Sequence, residues 1–168
     1  MRALLGFFLV LTASAQEIVF EHVNVVPMTR DTVLKDYSVH VKDGRFVAVG
    51  PSSKFKVPAG ATRIDGKGKY LTPGMGEMHG HIPPPTAPKE FIDDVLFLYV
   101  ANGITTVRGM LGHPGQLDFR EKAKRNEIVA PTLYLAGPSF SGATVKSPAQ
   151  AIERVRQQKA EGWDLLKI

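Results

Sequence analysis

From Pro73 onward the chain alternates short apolar runs with segments of helical period, and this alternation limits the fold more than any other feature. Ile104-Thr105-Thr106-Val107 and Thr132-Leu133-Tyr134-Leu135-Ala136 are β-branched or aliphatic runs of strand length. Pro88 to Ala101 places Phe91, Ile92, Val95, Leu96 and Tyr99 on one helical face and stops at Asn102-Gly103. Pro114 to about Asn126 reads as a second, more charged helix. Ser147-Pro148-Ala149-Gln150 is a capping box with proline at the first helical position. Ile152, Val155 and Ala160 give that third helix a face, and Gly162 ends it. Asp164 to Ile168 then reads as a strand. With the run before Pro83 as the first strand, the pattern is four strands joined by three helices. Strands joined through helices run parallel. A doubly wound sheet and half of an eight-stranded barrel both fit. No G-x-G-x-x-G follows the first strand, which counts against a dinucleotide fold. Catalytic residues at the C-terminal ends of several strands would favour the barrel.

Before Pro73 the pattern is different. Tyr37, Val39 and Val41 alternate with Ser38 and His40, Asp43-Gly44 supplies a turn, and Phe46 to Val49 returns. Ile18, Phe20 and the run Val23 to Val26 provide another strand pair, and Thr62 to Asp65 a further strand ending at Gly66. This is a small antiparallel unit, too short to close a sandwich without a strand from elsewhere. His22 and His40 fall on its polar sides and read as surface residues.

Residues 1–15 read as a secretory signal: Arg2, an apolar run from Ala3 to Leu11, then Ala13-Ser14-Ala15 at the cleavage positions. That run is too short for a stable membrane span. The 168 residues contain no cysteine, so no disulfide framework is available. An exported enzyme without disulfides suits the periplasm, with secretion as the other outcome. The net charge of +5 is spread out. Lys54, Lys56, Arg63, Lys67 and Lys69 crowd one region without an aromatic ladder, which disfavours a nucleic-acid partner.

The chemistry concentrates in Leu71-Thr72-Pro73-Gly74-Met75-Gly76-Glu77-Met78-His79-Gly80-His81-Ile82-Pro83. Residues at i and i+2 of a strand project to one face, so His79 and His81 would converge. Two neutral imidazoles on one strand make half of a transition-metal site, with zinc the expected metal. At the other end, Lys167 alternates with Leu166 and Ile168. If that aliphatic pair packs on helices, Lys167 points inward near the end of the fourth strand. A buried ammonium must be paired, neutralised or modified, whereas a strand-end lysine can also reach solvent. An amine kept from water beside a cation loses its proton more readily, and a neutral amine adds carbon dioxide to form an anionic metal ligand.

Three segments together resemble the amidohydrolase superfamily, closest to its imidazolonepropionase- and prolidase-like branch. They are Pro73 to His81, Asn102 to Met110 and Gly162 to Ile168, in the family's order. The resemblance implies an α/β fold: the first half of a TIM-like (β/α)8 barrel in residues 73–168, preceded in residues 16–72 by part of a small β-sandwich built from both chain ends. It implies that His79 and His81 bind one metal. Lys167 would be carboxylated by CO2 and bridge a binuclear site, with two Zn per complete site. It further implies a hydrolase acting on carbon–nitrogen bonds of a small-molecule amide, cyclic amide or dipeptide. Metals there activate a water and polarise the scissile carbonyl, while an aspartate shuttles the proton. Two departures stand out: Glu77 where the family has aspartate, and Gly109 where an acidic residue commonly follows the arginine.

The family's two further histidines and its proton-shuttling aspartate lie on strands beyond the fourth, so the chain reads as an N-terminal portion, inactive and poorly stable alone. Two residues are candidate substrate contacts. Arg108 either binds a substrate carboxylate or makes a structural ion pair, and His113 either meets substrate or is a solvated residue before a helix. A homo-oligomer of the complete protein is compatible with these features. The alternatives are a non-catalytic, metal-binding fragment and a deaminase- or phosphotriesterase-like activity on the same barrel.

Overall fold

The computed structural model describes residues 17–168, so the expected signal segment lies outside the described residues. The chain divides into two compact units, one ending at Pro73 and the other running Gly74–Ile168.

The first unit is one five-stranded sheet. Its strands are β1 (Glu17–Val25), β2 (Leu34–Lys42), β3 (Arg45–Pro51), β4 (Thr62–Asp65) and β5 (Tyr70–Leu71). The order is β3-β2-β1-β4, with β5 also on β1. Asp43 and Gly44 both take positive φ, +49° and +71°, the backbone a tight two-residue hairpin needs. The sheet is mixed, because β4 and β5 run parallel to β1. The two runs expected before Val26 form a single strand with register shifts on either side of Val23.

Val19, paired with His40, is buried on one side of the sheet, and Val23 and Val39 on the other. Ser38, on the opposite side of β2, is equally buried, because its hydroxyl meets that of Ser52 at 2.9 Å. His40 departs from its surface reading. Its side chain is 12% exposed, with Nε2 3.4 Å from Glu17 Oε1, because pairing with Val19 draws it against the start of β1. His22 remains exposed and bonds Asp36 at 2.8 Å, and both residues hold positive φ where the β1–β2 register shifts.

The second unit alternates as the sequence implies: β6 (Met75–Gly80), α1 (Lys89–Ala101), β7 (Ile104–Gly109), α2 (Gln116–Lys124), β8 (Thr132–Leu135) and α3 (Pro148–Glu161). The three strands are parallel in the order β6-β7-β8. Val107, Leu133 and Leu135 on one side of this sheet pack with Ile82 and with Ile92 and Leu96 of α1. Arg108 and Tyr134, paired in register on adjacent strands, are exposed.

Ser147 caps α3 by accepting the Gln150 amide, and Gly162 closes the helix at φ +92°. The Gln150 side chain reaches back one residue further than a capping box would, to the Lys146 amide at 2.7 Å. Two expectations differ here. The expected fourth strand is reduced to one bridge, Ala136 with Leu165, beside bonds from Gly137 to Leu165 and from Phe140 to Lys167. Ile152 and Val155 are exposed, because α3 turns Ala151, Arg154 and Gln158 inward instead. Gln158 is buried and donates to the Pro138 carbonyl at 2.7 Å, so a polar anchor does the work assigned to an apolar stripe.

Candidate metal-binding site

Two faults in strand pairing shape the end of β6. Met75 faces Ile104 but Gly76 faces Thr106, so β7 carries one extra residue at Thr105. Glu77 then faces Val107 and Gly80 faces Gly109, so β6 carries one extra residue within Met78–His79. Each is a bulge of the kind that re-aims side chains at sheet ends. Gly74 makes room for the first, since a Cβ there would lie 2.0 Å from the Thr105 hydroxyl.

The second bulge leaves backbone groups to be satisfied by side chains. Glu77 Oε1 accepts the His79 amide at 2.7 Å, and Arg108 Nε donates to the Met78 carbonyl at 2.7 Å. The bulge also interrupts the parity that would put Glu77 on the histidines' face. Its Cγ lies 3.1 Å from where a Gly80 Cβ would stand, beside Val107 and the Tyr99 hydroxyl. Glu77 therefore reaches the histidines through the backbone.

His79 and His81 do converge. Their rings stack with centroids 5.7 Å apart and planes 25° from parallel, and both residues are exposed. Zn–N bonds of about 2.0–2.1 Å place two coordinated imidazole rings roughly 5 Å apart, so the pair fits as two ligands of one metal with a small adjustment. The rest of a ligand set is not gathered: among the described residues, no cluster of three or more His, Cys, Asp or Glu could hold a metal. Lys167 is partly buried on the segment after α3, and its ammonium has no hydrogen-bond or ion-pair partner among the described residues. Leu166 and Ile168, expected against helices, are 41% and 95% exposed.

Behind the histidines the loop is fixed by contacts that sequence reading missed. Gln116, 1% exposed at the start of α2, donates to the carbonyls of Ile82 at 2.8 Å and Pro83 at 3.2 Å. Its Oε1 accepts the His113 amide at 3.0 Å, so His113 reaches this region through its backbone. The Tyr99 hydroxyl donates to the His81 carbonyl at 3.3 Å. Asp164 joins three elements: its Oδ2 accepts the Leu135 amide at 2.9 Å and Arg120 Nη1 at 2.8 Å. Burial pulls the Arg120 guanidinium down, but donation to Asp164 and Glu121 leaves it above its ordinary value. A glutamine just after a turn and an aspartate after a helix-ending glycine gave only weak signals of these roles.

No protein-family model matches the chain. A prolidase-like protein from Bifidobacterium longum superposes with a TM-score of 0.76 over 88% of this chain and 39% of its own, at 25% identity. A prolidase solved with N-methylphosphonate-L-proline superposes with a TM-score of 0.71 over 90% of this chain and 46% of its own, at 18% identity. This is the N-terminal part of an amidohydrolase-superfamily fold. Two curated relatives agree over shorter stretches. An imidazolonepropionase of Stenotrophomonas maltophilia is 38% identical over 50 residues, 30% of this chain. Adenine deaminase 2 of Shouchella clausii is 35% identical over 69 residues, 41% of this chain. Each alignment spans 12% of the relative, and the chain spans 39% of the Bifidobacterium protein.

Proposed function

We propose that this chain supplies the first metal ligands of an exported amidohydrolase that cleaves a carbon–nitrogen bond in a small amide or peptide. The observation that carries the reading is the stacked His79–His81 pair at the C-terminal end of the first strand of a parallel βα series. Active sites of barrels built from such series lie at that end. On this reading residues 73–168 form the first half of a (β/α)8 barrel and residues 16–72 part of a β-sandwich. The parallel order β6-β7-β8 and the separate first sheet support it. Export rests on the sequence of residues 1–15.

His79 and His81 would hold the metal, with Lys167 as a carboxylated ligand bridging a second. A metal held there would supply a water of lowered pKa and polarise a carbonyl. Arg108 keeps its terminal nitrogens free of partners among the described residues, because only Nε is used on Met78, and they suit a substrate carboxylate. His113 would flank the same end of the sheet. The complete protein, purified with zinc, should release proline from Xaa-Pro dipeptides, and His79→Ala should abolish both turnover and stoichiometric zinc. Full turnover in His79→Ala would overturn the reading. The adenine deaminase similarity favours one other reading, hydrolytic deamination, which the same preparation would show as ammonia release with a single metal per chain.

A further inference from the structure

We propose that Glu77 and Arg108 form a clamp on the β6 bulge that sets the direction of the His79–His81 pair. They would act as positioning residues, and the proposal rests on the metal-binding reading above. An inserted residue disrupts the ladder and leaves backbone groups without strand partners. The two groups that Glu77 and Arg108 take up, the His79 amide and the Met78 carbonyl, belong to consecutive residues within the inserted stretch. Both contacts are 2.7 Å, at the short end of the range for an N–H donor and an oxygen acceptor. The two side chains come from adjacent strands and hold the bulge at its donor and its acceptor.

The position of the bulge gives the clamp its purpose. An unbroken strand from Glu77 would put Glu77, His79 and His81 on one face. With the extra residue, the Glu77 stem turns toward Val107 and Tyr99 while the two imidazoles remain stacked and exposed. Gly80, between the histidines, lets this happen. A Cβ there would lie 2.6 Å from Val107 Cγ1 and 3.1 Å from Glu77 Cγ. Outer contacts of this kind are typically worth ten- to a hundredfold in metal affinity.

The test is zinc affinity of the complete protein, by competition with a chromophoric chelator, alongside exchange of the His79 amide and thermal unfolding. Glu77→Met and Arg108→Met should each weaken zinc binding about tenfold or more. Glu77→Met should also speed His79 amide exchange. Glu77→Gln, which keeps the acceptor, should retain both properties. Arg108→Met removes the opposite bond, so it remains informative if Glu77→Met unfolds. Zinc affinity that falls in His79→Ala but stays at the wild-type level in Glu77→Met and Arg108→Met would overturn the clamp alone. Unchanged affinity in His79→Ala/His81→Ala would overturn the metal reading itself, and with it the clamp's role in ligand positioning.

Discussion

Gln116 donates to the Ile82 carbonyl at 2.8 Å, so the first turn of α2 holds the backbone immediately after His81. The same amide group reaches Pro83 and accepts from His113, which makes one buried side chain the tie between two loops at the C-terminal end of the sheet. Gln116→Leu keeps the volume and removes every one of these bonds. Unsatisfied buried polar groups cost about 1–3 kcal/mol each, and some here would find water, so a net loss of about 2–3 kcal/mol is expected. Urea denaturation measures it, and a loss below about 0.5 kcal/mol would show that the tie is dispensable.

Gly109 is a packing requirement. A Cβ there would lie 2.8 Å from Leu135 Cδ2 and 3.5 Å from Ile82 Cγ1, inside the apolar cluster under the sheet. Gly109→Ala should cost about 1–2 kcal/mol because Leu135 can give way. Gly109→Asp restores the family's usual acidic character and should cost at least about 3 kcal/mol, since the carboxylate enters an apolar space unpaired. Thermal unfolding of the two variants side by side checks the order.

Glu21 links β1 to β4 through Arg63, which donates from Nε at 2.5 Å and Nη2 at 2.8 Å. That donation holds the Glu21 carboxyl below its ordinary value. A carboxyl depressed in the folded state adds stability above its ordinary pKa of 4.5, and the gain is lost as pH falls through the folded value. Glu21→Gln should therefore flatten the acid limb of the stability curve below about pH 4.5 and leave its shape near neutrality unchanged. Denaturation midpoints measured across that range decide it.

Lys167 offers a spectroscopic test. With zinc and carbon-13 bicarbonate supplied to the complete protein, a carbamate resonance should appear and should vanish in Lys167→Arg. A spectrum without that resonance, in protein that holds stoichiometric zinc, would remove Lys167 from the ligand set.

Periodicity and punctuation made most of the second unit readable. Asn102-Gly103, the Ser147 cap and Gly162 mark real boundaries because caps and glycine turns are local effects that tertiary packing does not undo. The convergence of His79 and His81 was legible for the same reason. The bulges were not, because an extra residue leaves no compositional trace when side chains absorb its backbone groups. Strand parity alone would put Glu77 on the histidines' face, and only the register shift at Met78–His79 shows that it acts through the backbone. The inward face of α3 was misread for another reason. Gln158 satisfies the Pro138 carbonyl, and a hydrophobic stripe cannot announce a helix anchored by a polar side chain. Asp164 likewise serves three elements that are distant in sequence, and distance of that kind has no local signature.

The paired bulges also bear on how this segment tolerates insertions and deletions. β6 and β7 leave register at Thr105 and regain it at Gly80 and Gly109, so Met75–Gly80 and Ile104–Gly109 span equal lengths despite two irregularities. Deleting Thr105 alone would leave the β6 insertion unbalanced and displace every later pairing of the two strands by one position. Removing the inserted residue from each strand would restore the pairing and yet erase the bulge that turns Glu77 away from the imidazoles' face. A gap in either strand is therefore a change to the site, even when no residue of the histidine motif is touched.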